Sequence, residues 1–263
     1  MAKRILPILI AAIISVLPLF GCGGEKEIEY PEEETAEKFS GTAEYVPISE
    51  VTEGKIAAYI FMDKFLDLNE YTAVQEGVTY ATVLLVTTEQ SVYSKKIKKG
   101  DEMYFYTDSS SSLAKTQHTA RFSGDTVSFI EDGEIKTADI SEYGGEYGIT
   151  FRDRLIEGFV VNDKTVLSSG KTEEDGNYKI TLELDGNIGG YYVRTQMKKI
   201  GGLNTYPVFK SVRIILTLDE EYFPLKIKLV AKYSAKKGVI NASCEQNLVT
   251  TYQKTAEYLP PLS

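Results

Sequence analysis

Tryptophan is missing from this 263-residue chain, and histidine occurs once, at position 118. A lone imidazole excludes the multi-histidine zinc sites, and no G-x-S-x-G elbow accompanies it to mark a nucleophilic serine. Cysteine is almost as scarce. Cys22 and Cys244 are the only two, which excludes the disulfide framework of small secreted domains. Positive charge is in the minority, 29 Lys and Arg against 38 Asp and Glu. Nucleic acid needs a basic face, and the densest basic run, Lys95-Lys96-Ile97-Lys98-Lys99, is broken by an apolar residue and reads as the solvated face of a strand. After Phe20 no apolar stretch reaches the roughly 18 residues that a membrane-crossing helix requires. Glycine-rich loops joining a strand to a helix, as nucleotide sites need, are lacking too, and Gly189-Gly190 and Gly201-Gly202 merely bracket a predicted helix. The pairs Asp132-Gly133, Asp175-Gly176 and Asp185-Gly186 lack the spacing of a calcium loop and read as turns.

What is present begins at the amino terminus. Lys3 and Arg4 precede an apolar run from Ile5 to Phe20, interrupted by Pro7 and Pro18 and closed by Leu19-Phe20-Gly21-Cys22. A positive end, a short apolar centre and small residues at the exit describe an export signal. Its ending resembles a bacterial lipobox rather than a plain secretory signal or an anchoring helix. That resemblance implies a diacylglycerol thioether on Cys22 and cleavage just before it. Losing residues 1–21 removes Lys3 and Arg4 and takes the formal charge from −9 to −11. Each buried CH₂ contributes about 0.8 kcal/mol, and two or more acyl chains hold a protein stably on a membrane. The expected location is the extracytoplasmic face of the cell membrane, with the membrane as a partner through the amino-terminal lipid.

Residues 22–47 are rich in Glu, Gly, Thr and Pro and read as an acidic disordered tether. About 25 residues of coil average roughly 25 to 30 Å end to end, more when like charges repel. The folded domain is expected over 48–258. Ser49 stands where an N-cap would, ahead of an amphipathic helix through Ile56, Tyr59, Ile60, Phe61, Met62 and Phe65 to about Leu68. Beyond it the hydrophobic period falls from helical to two. Strands are expected near 71–87, 90–99, 102–108, 115–123, 125–131 and 134–140, with Asp132-Gly133 as a hairpin turn. A short helix or loop is expected around Phe151 to Ile156, strands near 159–169 and 178–184, and a second helix between Asn187 and Ile200. Three long strands close the chain.

The chemistry-bearing residues are few. His118 lies in a polar alternating segment and reads as a surface histidine; Ser109 to Ser112 read as a flexible hairpin tip. Asp63 and Asp67, one helical turn apart, read as a solvated helix face. Cys244 alternates with Ala242 and Leu248 and reads as a buried, inert thiol. Tyrosine, at 18 residues, suits half-buried sheets, with a carbohydrate-binding platform as the lesser reading.

Together these elements define an α+β fold: a curved antiparallel β half-barrel with two or three helices on its concave side. The lipobox, the helix before Tyr71-Thr72-Ala73-Val74, the segment Gly100 to Tyr106, the block Lys210 to Asp219, then Phe223 to Ile227, Tyr233 and the last strand with Cys244 and Tyr252 carry a resemblance. They resemble the lipoprotein-carrier half-barrel superfamily (LolA- and LppX-like), in particular its Gram-positive lipoproteins. The resemblance implies an apolar cavity that in some members takes acyl chains, without catalytic residues or cofactors. In this chain the cavity-facing positions are Ile180, Leu182, Val212, Ile214, Leu216, Leu225, Ile227 and Leu229. The expected function is binding of a lipid or other hydrophobic ligand by a membrane-anchored, non-catalytic lipoprotein. The alternative is an envelope interaction or sensor protein that binds another exported protein or the cell wall.

Overall fold

The computed structural model describes residues 43–112, 114–147 and 154–262. The export signal, Cys22, most of the tether and the first half of the helix or loop expected around Phe151 to Ile156 lie outside the described residues; its second half holds the short strand Leu155–Ile156.

Helix α1 (Gly54–Leu66) is followed by the strands β1 (Glu70–Val83), β2 (Val86–Lys99), β3 (Glu102–Ser111), β4 (Lys115–Ser123), β5 (Thr126–Glu131) and β6 (Glu134–Asp139). Helix α2 (Ile140–Tyr147), the short hairpin β7 (Leu155–Ile156) and β8 (Phe159–Val160), then β9 (Val166–Glu174) and β10 (Asn177–Leu184) come next. Helix α3 (Tyr191–Gly201) precedes the long strands β11 (Val208–Leu218), β12 (Pro224–Lys237) and β13 (Ile240–Gln253). Eleven strands form one open sheet in the order β6-β5-β4-β3-β2-β1-β13-β12-β11-β10-β9. Every pairing in it is antiparallel. The first strand of the meander therefore meets the last strand of the chain in the middle of the sheet, in register from Thr72↔Gln253 to Thr82↔Ser243.

The reason these segments form strands is visible in β10, where Tyr178, Ile180, Leu182 and Leu184 are buried while Lys179, Thr181 and Glu183 are not. Period-two burial fixes the register, since a slip of one residue would turn every apolar side chain to solvent. The Asp132-Gly133 turn joins β5 to β6 with both residues at positive φ, 53° and 82°, as the sequence predicts. Helix α3 ends at Gly202 in the left-handed conformation (φ 58°), whose amide bonds back to the carbonyl of Lys199.

Several expectations are corrected. Helix α1 starts at Gly54 with Glu53 as N-cap; Ser49 lies in a turn upstream. The first two strands turn at Leu84-Leu85 rather than near residues 87–90. A helix absent from the sequence reading, α2, occupies 140–147, because Ile140, Tyr143 and Tyr147 recur at helical spacing at the end of the expected strand 134–140 and just past it. The lysine run is not a uniformly solvated face. Ile97 is buried beneath Leu259 and Tyr104, where the carboxy-terminal tail crosses the outer face of the sheet, and Lys95 pairs with Glu257 at 2.5 Å.

The three helices among the described residues lie on one face of the sheet, called here the inner face. The main core joins α1 and α3 to β10, β11, β12 and β13; a second core joins α2 to β3, β4 and β5. Gly54 allows α1 its closest approach, since a Cβ there would stand 2.5 Å from the Gly170 carbonyl oxygen on β9.

Candidate functional site: the inner face of the sheet

The inner face has three zones. On β10, β11 and β12 the side chains of Ile180, Leu182, Val212, Ile214, Leu216, Ile227 and Leu229 converge in a single apolar cluster, and Ala57, Ala58, Ile60 and Phe61 of α1 press into it. Leu225 is the exception among the positions predicted to line this face. It is only partly buried and outside the cluster, because the register shifts between Thr217 and Leu218, where Pro224, unable to donate to the ladder, pairs with Leu218. Cys244 sits in the same cluster beside the Tyr233 ring, and burial pushes its thiol up to about 12.

The middle zone is polar. Gln75 and Thr79 on β1, Gln90 and Ser94 on β2, Thr107 and Ser109 on β3 and Gln246 and Thr250 on β13 are all buried. Strand pairing sets them on the inner face: Gln75 is opposite Ser94 and Thr250, Thr79 opposite Gln90 and Gln246. Glu157, from the β7–β8 turn, enters this zone. Thr250 Oγ1 donates to its Oε1 at 2.8 Å, and Gln75 Nε2 donates to its Oε2 at 2.8 Å. Burial raises the affinity of the Glu157 carboxyl for its proton, opposed by Thr250, Lys96 and Gln75. Gln75 Oε1 and Thr79 Oγ1 have no hydrogen-bond partner among the described residues. The sequence reading missed this zone. Its signal was available as glutamines and threonines standing at inward positions of otherwise apolar alternation.

The third zone holds the single histidine. His118 is 2% exposed, a correction to its reading as a surface residue. It is enclosed by Phe129, Tyr143 and Tyr147, and its Nε2 bonds the Tyr143 hydroxyl at 2.7 Å. Burial lowers its pKa to about 4, so the ring is neutral at pH 7. The polar flanks Lys115, Gln117 and Thr119 misled the reading, because they alternate with the inward ring; period two makes one face of a strand silent about the other.

Asp63 of α1 is partly exposed and pairs with Arg154 at 2.9 Å, and Asp67, at the carboxyl cap of the helix, is exposed. At the carboxyl end of α1 a cleft of about 310 Å³ is lined by Lys64, Asp67, Asn69, Glu70, Tyr222 and Lys254. Its cation Lys254 is held by Asp219 and Glu221, each at 2.8 Å. No cluster of three or more His, Cys, Asp or Glu side chains able to hold a metal occurs among the described residues.

No family model matches this sequence, and no curated protein does. Solved structures similar to it include LprF from Mycobacterium bovis, at 10% identity over 82% of this chain and 99% of that one, with a TM-score of 0.29. A LolA superfamily protein from Nitrosomonas europaea aligns at 10% identity over 80% of this chain and 96% of its own, with a TM-score of 0.28. A DUF1329 family protein from Desulfovibrio piger follows at 11% identity over 82% and 96%, with a TM-score of 0.23.

Proposed function

We propose that this protein is a membrane-anchored extracytoplasmic lipoprotein that binds a lipid or another hydrophobic ligand on the inner face of its half-barrel, without catalysing a reaction. The observation that carries the reading is the cover of that face. Ile180, Leu182, Ile214, Leu216, Ile227 and Leu229 are shielded from water by α1, with α3 and the short β7–β8 hairpin beside it, rather than by barrel closure. Helices and a short hairpin laid against a sheet are a cover that can shift, and a ligand entering here replaces apolar contacts with apolar contacts.

Helix α1 is held by a small set of polar ties. Lys171 on β9 bonds the carbonyls of Ile48 and Val51, Lys55 pairs with Asp163 at 2.5 Å, and Arg154 pairs with Asp63. Exposed pairs such as Lys55 with Asp163 are weakened by solvent screening, so they locate α1 without locking it. The polar middle zone, with Glu157, Gln75 and Thr79, supplies a hydrogen-bonding strip next to the apolar zone and suits a ligand with one polar end.

Native mass spectrometry of the protein released from membranes tests the binding: the expected spectrum carries a lipid-sized adduct, and a ligand-free mass under gentle desolvation rejects it. Incorporation of radiolabelled palmitate, lost in Cys22→Ala, tests the anchor.

A further inference from the structure

The β1–β2 hairpin ends in Val83-Leu84-Leu85-Val86, and its tip is bare: Leu84 is 92% exposed, Leu85 98% and Val86 70%. Folding gives no account of this choice. Leu84 adopts φ 56°, a left-handed turn position that favours Asn, Asp or Gly, and each of the other two-residue turns of the sheet carries a glycine at positive φ: Gly100, Gly124, Gly133, Gly176 and Gly238. Two leucines here meet no part of the core and replace the residues that the turn prefers.

The surroundings of the tip say what it meets. Pairing of Thr82 with Ser243 sets the β12–β13 turn beside it, where Val239 is also exposed, at 55%. That turn follows Lys236 and Lys237, and the last turn of α3, carrying Lys198 and Lys199, is tied to it by the Asn204 amide bonding the Lys236 carbonyl at 3.0 Å. The acids on these hairpins stand further back: Glu89 is three residues from Val86, and Glu245 is paired with Lys232 at 3.3 Å. An apolar point beside lysines, on a chain of formal charge −9, is complementary to a bilayer with an anionic surface.

We infer that the Val83–Val86 tip inserts into an anionic lipid bilayer, with the lysines of the β12–β13 turn and of α3 at the headgroups, and stands the sheet end-on to the membrane. The geometry admits the lipid anchor on the same bilayer. The chain enters the described residues at the other end of the sheet, where the Tyr222 hydroxyl donates to the Val46 carbonyl at 2.7 Å. The 14 residues of β1 span about 45 Å. Residues 22–42, fully extended, reach at most about 70 Å.

The absence of tryptophan makes the test direct. The chain from Cys22 to Ser263 carrying Cys22→Ala contains all three core clusters and cannot be lipidated, so any vesicle binding is its own. With Leu85→Trp, vesicles of phosphatidylglycerol and phosphatidylcholine should shift the emission to the blue, and brominated acyl chains should quench it. Tyr258→Trp, at the opposite end, should report no change. Leu84→Asp with Leu85→Asp should lower co-sedimentation with the same vesicles at least tenfold while the unfolding midpoint stays in place. Emission indifferent to vesicles, or undiminished binding of the double variant, overturns the inference. A blue shift that follows protein concentration without lipid also overturns it and assigns the tip to a second copy of the chain. Ligand occupancy of the inner face is read separately by mass, so the two proposals fail independently.

Discussion

Lys171 on β9 reaches over the end of the sheet to the turn that leads into α1, where its Nζ donates to the Val51 carbonyl at 2.6 Å and to the Ile48 carbonyl. The same ammonium stands 4.9 Å from the centre of the Tyr178 ring. One cation thus fixes the segment before α1 to the sheet that α1 covers. Replacing it by an isosteric apolar side chain, Lys171→Met, leaves both carbonyls without this donor. The expected loss is about 1.5 to 3 kcal/mol in urea unfolding, with faster amide exchange confined to 48–66. Uptake of a solvatochromic hydrophobic dye should rise in the same variant if α1 is the movable cover. Unchanged exchange in that segment would refute the tie.

The close approach of Gly54 to Gly170 sets the height of α1 above β9. A methyl group 2.5 Å from a carbonyl oxygen forces one element to move, and overpacking of this kind costs about 1 to 3 kcal/mol. Gly54→Ala is expected to lower the thermal midpoint, although alanine is the better helix former. A midpoint at or above that of the parent chain would show that helix propensity outweighs the contact.

His118 makes stability depend on pH with a definite sign. Its folded pKa, about 4, lies below the ordinary 6.5, so between these values the unfolded chain binds a proton that the folded chain excludes. This contribution is constant above about pH 7, falls as pH drops from 6.5 toward 4, and changes no further below that. The separation corresponds to about 3 kcal/mol. Urea unfolding at a series of pH values, compared with His118→Leu, should give a difference curve confined to that window; a difference independent of pH would contradict the buried neutral ring.

Cys244 is expected to be silent toward thiol reagents in the folded protein. Its pKa of about 12 leaves almost no thiolate at pH 8, and the side chain is 3% exposed. Ellman's reagent should react only at the rate of unfolding and stoichiometrically in denaturant. Rapid labelling of native protein would show that the Tyr233 side of the core opens.

Much of the sheet was legible because β10, β13 and the part of β11 from Val212 to Leu218 alternate cleanly, and burial on one face leaves the period in the sequence. Leu225 failed where the alternation is broken by a bulge, since the extra residue depends on how β12 meets β11 rather than on β12 alone. His118 failed for a related reason. What makes it buried is α2, which folds over β4 from more than twenty residues away and supplies Tyr143 and Tyr147. The polar strip escaped notice because Gln75 and Thr250, 175 residues apart in sequence, and likewise Thr79 and Gln246, come from two strands whose pairing alone shows them as neighbours. The tip was hidden by a turn without turn residues: Leu84-Leu85 continues the apolar pattern of a strand, so the reversal left no mark.

The sequence by itself determined the secondary elements of the long closing strands, the acidic character of the chain and the chemistry that its composition withholds, since period, charge and residue count are local or additive properties. Tertiary structure alone decided which apolar face is covered by which helix, where the one imidazole is sealed, and that Leu84, Leu85 and Val86 are left bare at the end of the sheet. Those outcomes depend on pairing between distant segments, and burial is a property of the neighbours a side chain acquires rather than of the side chain itself.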